Sequence, residues 1–271
     1  MTPSNPGCSI LFGEVEHDEN FQTGIVMLNT EEKRARFRAL HQDGFFILPN
    51  AWDAGSAKRL EAQGFQAIAS TSAGAAWALG KDDGQLSCDE AVAHLEMLVA
   101  ATGLPVNADF ENGFADAPDA VAANAVRAAA TGIAALSIED WSGSAIYDRS
   151  LGAERIAAVR EALDPDVLLV GRSEFFRAPE TPAAEWIARA VAYSEAGADV
   201  LFVPFMLDHG AVAELIAAVA PKPVNVLVAS FDTIPDYARL GARRCSVGAA
   251  LAGAVWKAFD EAAATLKGFE A

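Results

Sequence analysis

Ala130-Thr-Gly-Ile-Ala-Ala-Leu-Ser-Ile-Glu-Asp140 carries the unit from which the chain is built. The alanine-rich stretch 117–130 before it has helical composition, and Gly132 supplies the stop that follows a helix. Residues 134–138 are a nearly continuous apolar run, as expected of a parallel strand covered on both faces. Two acids, Glu139 and Asp140, stand where that run ends.

The same order repeats on either side. Apolar runs lie at 45–49, 67–71, 105–110, 134–138, 167–171, 200–204, 224–228 and 244–247. Between them come helical stretches at 54–63, 89–101, 117–130, 153–162, 182–195, 210–219 and 234–240, with a last helix from 249 to 267. Gly64, Gly197 and Gly241 close helices as Gly132 does. Residues 31–41, charged on one side and carrying Phe37 and Leu40, read as a lead-in helix. Eight strand–helix units predict an α/β fold of the TIM (β/α)8 barrel type and not a doubly wound sheet. No linker rich in Pro, Gly or Ser interrupts them, so 30–271 reads as one domain preceded by an extension, 1–29. Trp256 and Phe259 on the last helix pack either on their own barrel or on a partner subunit.

Composition narrows the function. A formal net charge of −17 argues against nucleic acid, whose phosphates need clustered Lys and Arg. No apolar run reaches about 18 residues, so no membrane span is expected. The N-terminus lacks a basic segment followed by an apolar core, so no signal peptide is visible. Cys8, Cys88 and Cys245 make neither a zinc spacing nor a disulfide framework, which fits a reducing cytoplasm.

In a TIM barrel the chemistry gathers at the C-terminal ends of the strands. In Pro105-Val-Asn-Ala-Asp-Phe-Glu-Asn-Gly113, Asp109 and Glu111 stand two residues apart, and the strand period aims both at one face. Other strand ends add Trp52 and Asp53, then Thr71 and Ser72, with Asp83 in the loop beyond. Glu139, Asp140, Arg172, Glu174 and Asn225 complete the set. So many acids around one arginine repel one another, and a divalent cation removes the conflict. Ligation by oxygen alone suggests Mg²⁺ or Mn²⁺ over zinc. Asp53 and Asp140 read equally well as helix N-caps. Arg172 either clamps a substrate carboxylate or enolate oxygen or pairs with Glu139 or Glu174. The hydroxyls and N–H groups of the Thr71–Gly74 turn can hold an anionic group.

None of the six lysines ends a strand, which argues against Schiff-base chemistry. His17, His41 and His94 read as surface residues and His209 as a helix start. Cys88 precedes a helix, where its pKa could fall.

The motifs Leu48-Pro-Asn-Ala-Trp-Asp53, Thr71-Ser-Ala-Gly74, Leu79-Gly-Lys-Asp-Asp-Gly84, Ala108-Asp-Phe-Glu-Asn-Gly113, Ser137-Ile-Glu-Asp140, Gly171-Arg172 and Pro223-Val-Asn-Val226, in this order, resemble the isocitrate lyase/phosphoenolpyruvate mutase superfamily. The resemblance implies a Mg²⁺-dependent barrel that makes or breaks a C–C or P–C bond beside an enolate of pyruvate type. Asp109 matches its main metal-binding aspartate, Glu111 stands where many members have a second aspartate, and Glu139 matches its metal-shell glutamate. Asp83 matches an acid near the reacting centre, and Arg172 the arginine that steadies the enolate or carboxylate. Thr71 and Ser72 match the substrate grip. Trp52, Asp53 and Asn225 are further substrate-binding candidates, from motifs at strand ends. Members usually form tetramers and often exchange the last helix, so a homo-oligomer, dimer or tetramer, is expected.

One departure matters. The carbon–carbon lyases carry a Lys-Lys-Cys-Gly-His-like loop whose cysteine is the acid/base. Here Trp141-Ser-Gly-Ser-Ala-Ile-Tyr147-Asp148 holds no Cys, Lys or His, and Ser142, Ser144 and Tyr147 are its hydroxyls. The expectation is a lyase on a small 2-oxo or 2-hydroxy acid such as oxaloacetate or a substituted malate. P–C chemistry, as in phosphonopyruvate hydrolase or phosphoenolpyruvate mutase, is the alternative. A barrel that binds a metabolite without turnover is the third reading.

Overall fold

Pro49 has no N–H to give to a ladder, and the first apolar run breaks there. Its halves are β1 (Phe46–Leu48) and β2 (Asn50–Ala51). Seven further strands follow: β3 (Ile68–Ser70), β4 (Val106–Asp109), β5 (Ala135–Glu139), β6 (Leu168–Arg172), β7 (Val200–Phe202), β8 (Val224–Leu227) and β9 (Arg244–Ser246). All pairs are parallel, in the order β1-β9-β8-β7-β6-β5-β4-β3-β2. The ends of that order are the two halves of one run, so the sheet closes into the expected TIM barrel. There are nine strands instead of eight because β1 follows β9 while β2 follows β3. The computed structural model describes residues 28–178 and 180–270. The expected extension therefore falls almost wholly outside the described residues, as do Cys8 and His17.

The side chain of Asn50 bridges the break. Its Oδ1 accepts from the backbone N–H groups of Val247 and Gly248 at 3.1 and 2.9 Å, and its Nδ2 donates to Ser70 O at 2.7 Å. One amide thus joins the end of β9 to the end of β3. Pro49 still contributes its carbonyl, which accepts from Ala69 N at 2.9 Å.

The helices are α1 (Thr30–Leu40), α2 (Ala54–Ala62), α3 (Ser72–Ala78), α4 (Cys88–Ala101), α5 (Pro118–Ala130), α6 (Arg149–Ala162), α7 (Ala183–Glu195), α8 (His209–Val219), α9 (Ile234–Leu240) and α10 (Ala250–Lys267). Most match expectation; α6 begins at Arg149, earlier than 153. The Thr71–Gly74 stretch is not a turn but the start of α3, where Thr71 Oγ1 accepts from Gly74 N at 3.3 Å as the N-cap. Its small residues give no apolar period to read. Gly241 ends α9 at φ 99°, a conformation costly for any residue with a Cβ.

Helix α1 closes the N-terminal end of the barrel. Phe37 is fully buried among Phe46, Leu48, Ala69, Ala135 and Leu168, and burial of such a ring contributes ~2 kcal/mol. His41 is buried beside it, contrary to the surface placement expected for it. Its Nδ1 lies 2.8 Å from Phe37 O and its Nε2 lies 3.1 Å from Arg244 Nη1. Burial and the Arg244 charge push its pKa down to about 3, so the ring is neutral at neutral pH. Nδ1 then carries the proton and donates to Phe37, while Nε2 accepts from Arg244. At the other extreme, α10 leaves Val255, Trp256, Phe259 and Leu266 exposed. No helix among the described residues is long and apolar enough to cross a membrane.

Candidate active site

Three carboxylates converge on Arg172, the last residue of β6. Nη1 lies 2.9 Å from Asp109 Oδ1, Nη2 lies 3.2 Å from Glu139 Oε2, and Nε donates to Glu174 Oε1. Arg172 is thus paired with Glu139 and Glu174, and it also lines the cleft. Burial works against its charge, but Glu174, Glu139 and Asp109 hold it protonated. The register explains the meeting. Glu139 and Arg172 are paired across β5 and β6, and Asp109 ends β4 one strand further.

Asp109 has its second oxygen engaged as well. Ser72 N and Ser72 Oγ both donate to Asp109 Oδ2 at 2.9 Å, while Ser70 Oγ accepts from Asp109 N at 2.7 Å. The start of α3 therefore orients the aspartate.

Glu111 reaches the cleft by a different route from the one the strand period predicts. β4 stops at Asp109, and Glu111 sits beyond it at φ 47°, in the left-handed region. The turn continues through Gly113, at φ 75°, where a Cβ would lie 2.7 Å from Val121 Cγ1. Glu111 Oε1 is buried with no hydrogen-bond partner. Burial, then Asp109 and Asp83, pushes its pKa up to about 7. Burial and the Asp109 charge also raise Asp83, while Arg177 and Arg172 pull it back. Glu139 is raised above the usual carboxylate range by burial, against the pull of Arg172.

These groups line a cavity of about 1050 Å³ that opens at the C-terminal ends of the strands. Asp83, Asp109, Glu111, Glu139, Arg172, Thr71, Ser72 and Asn225 all line it. Asn225 is locked, with Nδ2 donating to Ser246 Oγ at 2.9 Å and Oδ1 accepting from Arg244 Nε at 3.0 Å. Trp52 and Asp53 are not in the lining. Asp53 is the N-cap of α2, accepting from Ser56 N at 2.6 Å. Trp52 packs against α3, and its carbonyl meets His94 Nε2 at 2.9 Å, which places His94 half-buried instead of on the surface. Cys88 does lie at a helix start, but burial raises its pKa where the helix terminus was expected to lower it.

Asp140 is neither ligand nor cap. It is buried, and Ser173 Oγ, Tyr193 OH and Glu174 N all donate to it at 2.7–2.9 Å. It thereby fixes the chain after β6, and with it the Glu174 that holds Arg172. The loop beyond Asp140 folds back on itself through a bridge between Trp141 and Ile146. Tyr147 turns away from the cleft. Its hydroxyl donates to Asp116 and accepts from Asn112 Nδ2 at 3.2 Å, and Arg155 stacks 4.2 Å over its ring. Of the three loop hydroxyls, only Ser142 lines the cavity.

Sequence reasoning missed the aromatic mouth of the cleft. Trp141, Phe176, Arg177 and Phe205 come from the loops after β5, β6 and β7 and line the opening. Phe176 and Arg177, an aromatic and an arginine just beyond a strand end, were a signal in the sequence. Arg244, a cation inside a buried strand, was another.

The donor set suits a hard divalent ion. It is all oxygen, and Glu111 Oε1 is a buried oxygen without a partner. Among the described residues no three His, Cys, Asp or Glu side chains already gather as a ligand cage. Mg²⁺ is commonly bound through one or two carboxylates and retained waters.

Residues 37–267 match the family model for phosphoenolpyruvate phosphomutase. A crystal structure of a protein classed as a lyase/mutase from Burkholderia cenocepacia J2315 superposes with a TM-score of 0.82 at 43% identity, covering 88% of each chain. The 2,3-dimethylmalate lyase of Eubacterium barkeri is 33% identical over 58% of this chain and 57% of its own. The 2-methylisocitrate lyase of Salmonella typhimurium is 29% identical over 79% and 75%. With the barrel, the acids at its strand ends and Arg172 among them, the chain belongs to the isocitrate lyase/phosphoenolpyruvate mutase superfamily and is a lyase-type enzyme within it.

Proposed function

We propose that this enzyme cleaves a C–C bond in a small 2-oxo or 2-hydroxy carboxylate through an enolate, with Mg²⁺ bound beside Asp109, Glu111 and Glu139. The observation that carries the reading is Arg172, buried and pointed into the cleft among those acids. The ion, when bound, would neutralise the acids and polarise the carboxylate and 2-oxygen of the substrate.

The chain's own groups do the rest. Arg172 presents a fixed cation where negative charge develops as the bond breaks, and charge placed in advance costs no reorganisation. Ser72 and Ser70 hold Asp109 in position, and Glu174 holds Arg172. Asp83, whose pKa burial raises, stands at the cleft wall as the acid placed to transfer a proton. Ser142 is the loop serine that lines the cavity; its hydroxyl donates to Ala145 O at 2.9 Å and would pass a proton toward the leaving carbon on exchanging that partner. Oxaloacetate or a substituted malate fits this pattern, and the relatives named for dimethylmalate and methylisocitrate cleavage support it. A homo-oligomer that covers the apolar residues of α10 completes the proposal.

The match to the phosphomutase model favours a second reading, P–C bond chemistry. Incubation with Mg²⁺ and either oxaloacetate, substituted malates or phosphonopyruvate separates the two. Oxalate and acetate, or a 2-oxo acid and a carboxylic acid, support C–C cleavage. Pyruvate with phosphate, or phosphoenolpyruvate, supports the second reading. Turnover of none of these would sink both.

A further inference from the structure

The mouth of the cleft carries a second cation, Arg177, whose charge also reaches Asp83. Arg177 ends the short 3-10 turn Phe175–Arg177 that follows β6. Its guanidinium lies 5.0 Å from the centre of the Trp141 ring and 4.6 Å from that of Phe176. Phe176 meets Phe205 edge-on at 5.0 Å. Phe205 is 46% exposed and held at φ 59°, a strained conformation for a bulky residue. Core packing gives no reason for that strain, because the ring stands at the rim of the cavity.

Arg177 has an ion-pair partner in Glu174 but no side-chain hydrogen bond among the described residues. Its Nε lies 3.8 Å from Glu174 Oε2, too far for a hydrogen bond. The other oxygen of Glu174 is held by Arg172. Among the described residues the Arg177 guanidinium donates no hydrogen bond, whereas Arg172 meets three carboxylates. A guanidinium stacked on rings keeps its edge free, and that edge presents two parallel N–H groups matched to a carboxylate.

We propose that Arg177, Trp141, Phe176 and Phe205 form an outer subsite for a dicarboxylic substrate, in which Arg177 takes the second carboxylate and the rings pack against an apolar substituent at C3. The inference rests on the reading that the Arg172 end holds the reacting 2-oxygen. Size agrees with it. Pockets of ~300–1,000 Å³ hold drug-sized ligands, and an unsubstituted four-carbon acid fills only a fraction of the present cavity of about 1050 Å³. The rings would exclude water from the Arg177–carboxylate pair, and aromatic faces give apolar contact at little entropic cost. The substrate class is therefore a C3-alkylated malate or the corresponding 2-oxo acid.

Calorimetric titration of the full chain with Mg²⁺ tests this with three probes: oxalate, malate and 3-butylmalate. Wild type binds 3-butylmalate at least ten-fold tighter than malate. Arg177→Met weakens malate and 3-butylmalate at least ten-fold relative to oxalate. Trp141→Ala removes the preference for 3-butylmalate over malate. An unchanged malate-to-oxalate ratio in Arg177→Met, or a retained butyl preference in Trp141→Ala, overturns the subsite while oxalate binding upholds the inner end. A wild-type protein that fails to bind oxalate overturns the reading of the inner end and the subsite with it.

Discussion

Arg172 Nη1 reaches over β5 to meet Asp109 Oδ1 at 2.9 Å, joining the ends of two strands that do not touch in the sheet. The same guanidinium satisfies Glu139 and Glu174. Removing it leaves three acids without their cation, and a broken buried pair typically costs 3–5 kcal/mol. Arg172→Met should therefore lose roughly 3 kcal/mol or more in urea denaturation and show no turnover. Arg172→Lys keeps the charge but not the fork, so it should retain most of the stability and lose ~10²–10³ in kcat. Equal kcat for Arg172→Lys and wild type would mean that the fork has no part in catalysis.

Glu111 is expected to show the opposite balance. Its pKa, pushed up to about 7, lies above the unfolded value of 4.5. The folded state then binds more protons between those values, so this group's contribution to stability falls as pH rises from 4.5 through 7. Glu111→Gln should stabilise the metal-free protein by roughly 1–2 kcal/mol at pH 8 and by much less at pH 5. The same variant should lose the thermal stabilisation that Mg²⁺ gives the wild type. Denaturation in EDTA at the two pH values checks the first part, and a gain larger at pH 5 would contradict it.

His41 should oppose that trend. Its folded pKa of about 3 lies below the unfolded 6.5. Its stabilising contribution is complete above pH 6.5 and is lost as pH falls through that window toward 3. At pH 5.5 the loss relative to pH 8 should be about 1.4 kcal/mol. A comparison of wild type with His41→Gln across this range isolates the effect. Parallel stability curves would show that the ring is not held neutral.

Tyr147 should prove structural. Its hydroxyl is committed to Asp116 and Asn112, and burial with the Asp116 bond raises its pKa. Tyr147→Phe should cost ~1 kcal/mol and leave kcat/KM within a few-fold. Ser142→Ala, at the loop serine that lines the cavity, should lower kcat by ten-fold or more. Steady-state kinetics on whichever acid is turned over would settle the comparison, and a reversed order would exchange their roles.

The barrel was legible because parallel strands buried on both faces leave unbroken apolar runs, as at 134–138, and because glycines mark the helix ends. Asp109 and Glu139 were legible because each ends such a run. Other features depend on contacts between residues distant in the chain. Asp140 looks like Glu139's neighbour in the sequence, yet Tyr193 and Ser173 claim it from another strand and helix. Glu111 keeps its place in the cleft through a left-handed turn that the strand period cannot express. Helix α3 escaped notice because Ala and Gly carry no period, and His41 because it packs beside Phe46 and Arg244, the latter meeting it across most of the chain.

The amide of Asn50 deserves a last consequence. It stands in the cavity wall and is also what holds the two ends of the cylinder together. Mutational scans that treat folding and chemistry as separable will misassign this position. A substitution there opens the cylinder at the wall of the cavity, so loss of solubility and loss of turnover should arrive together.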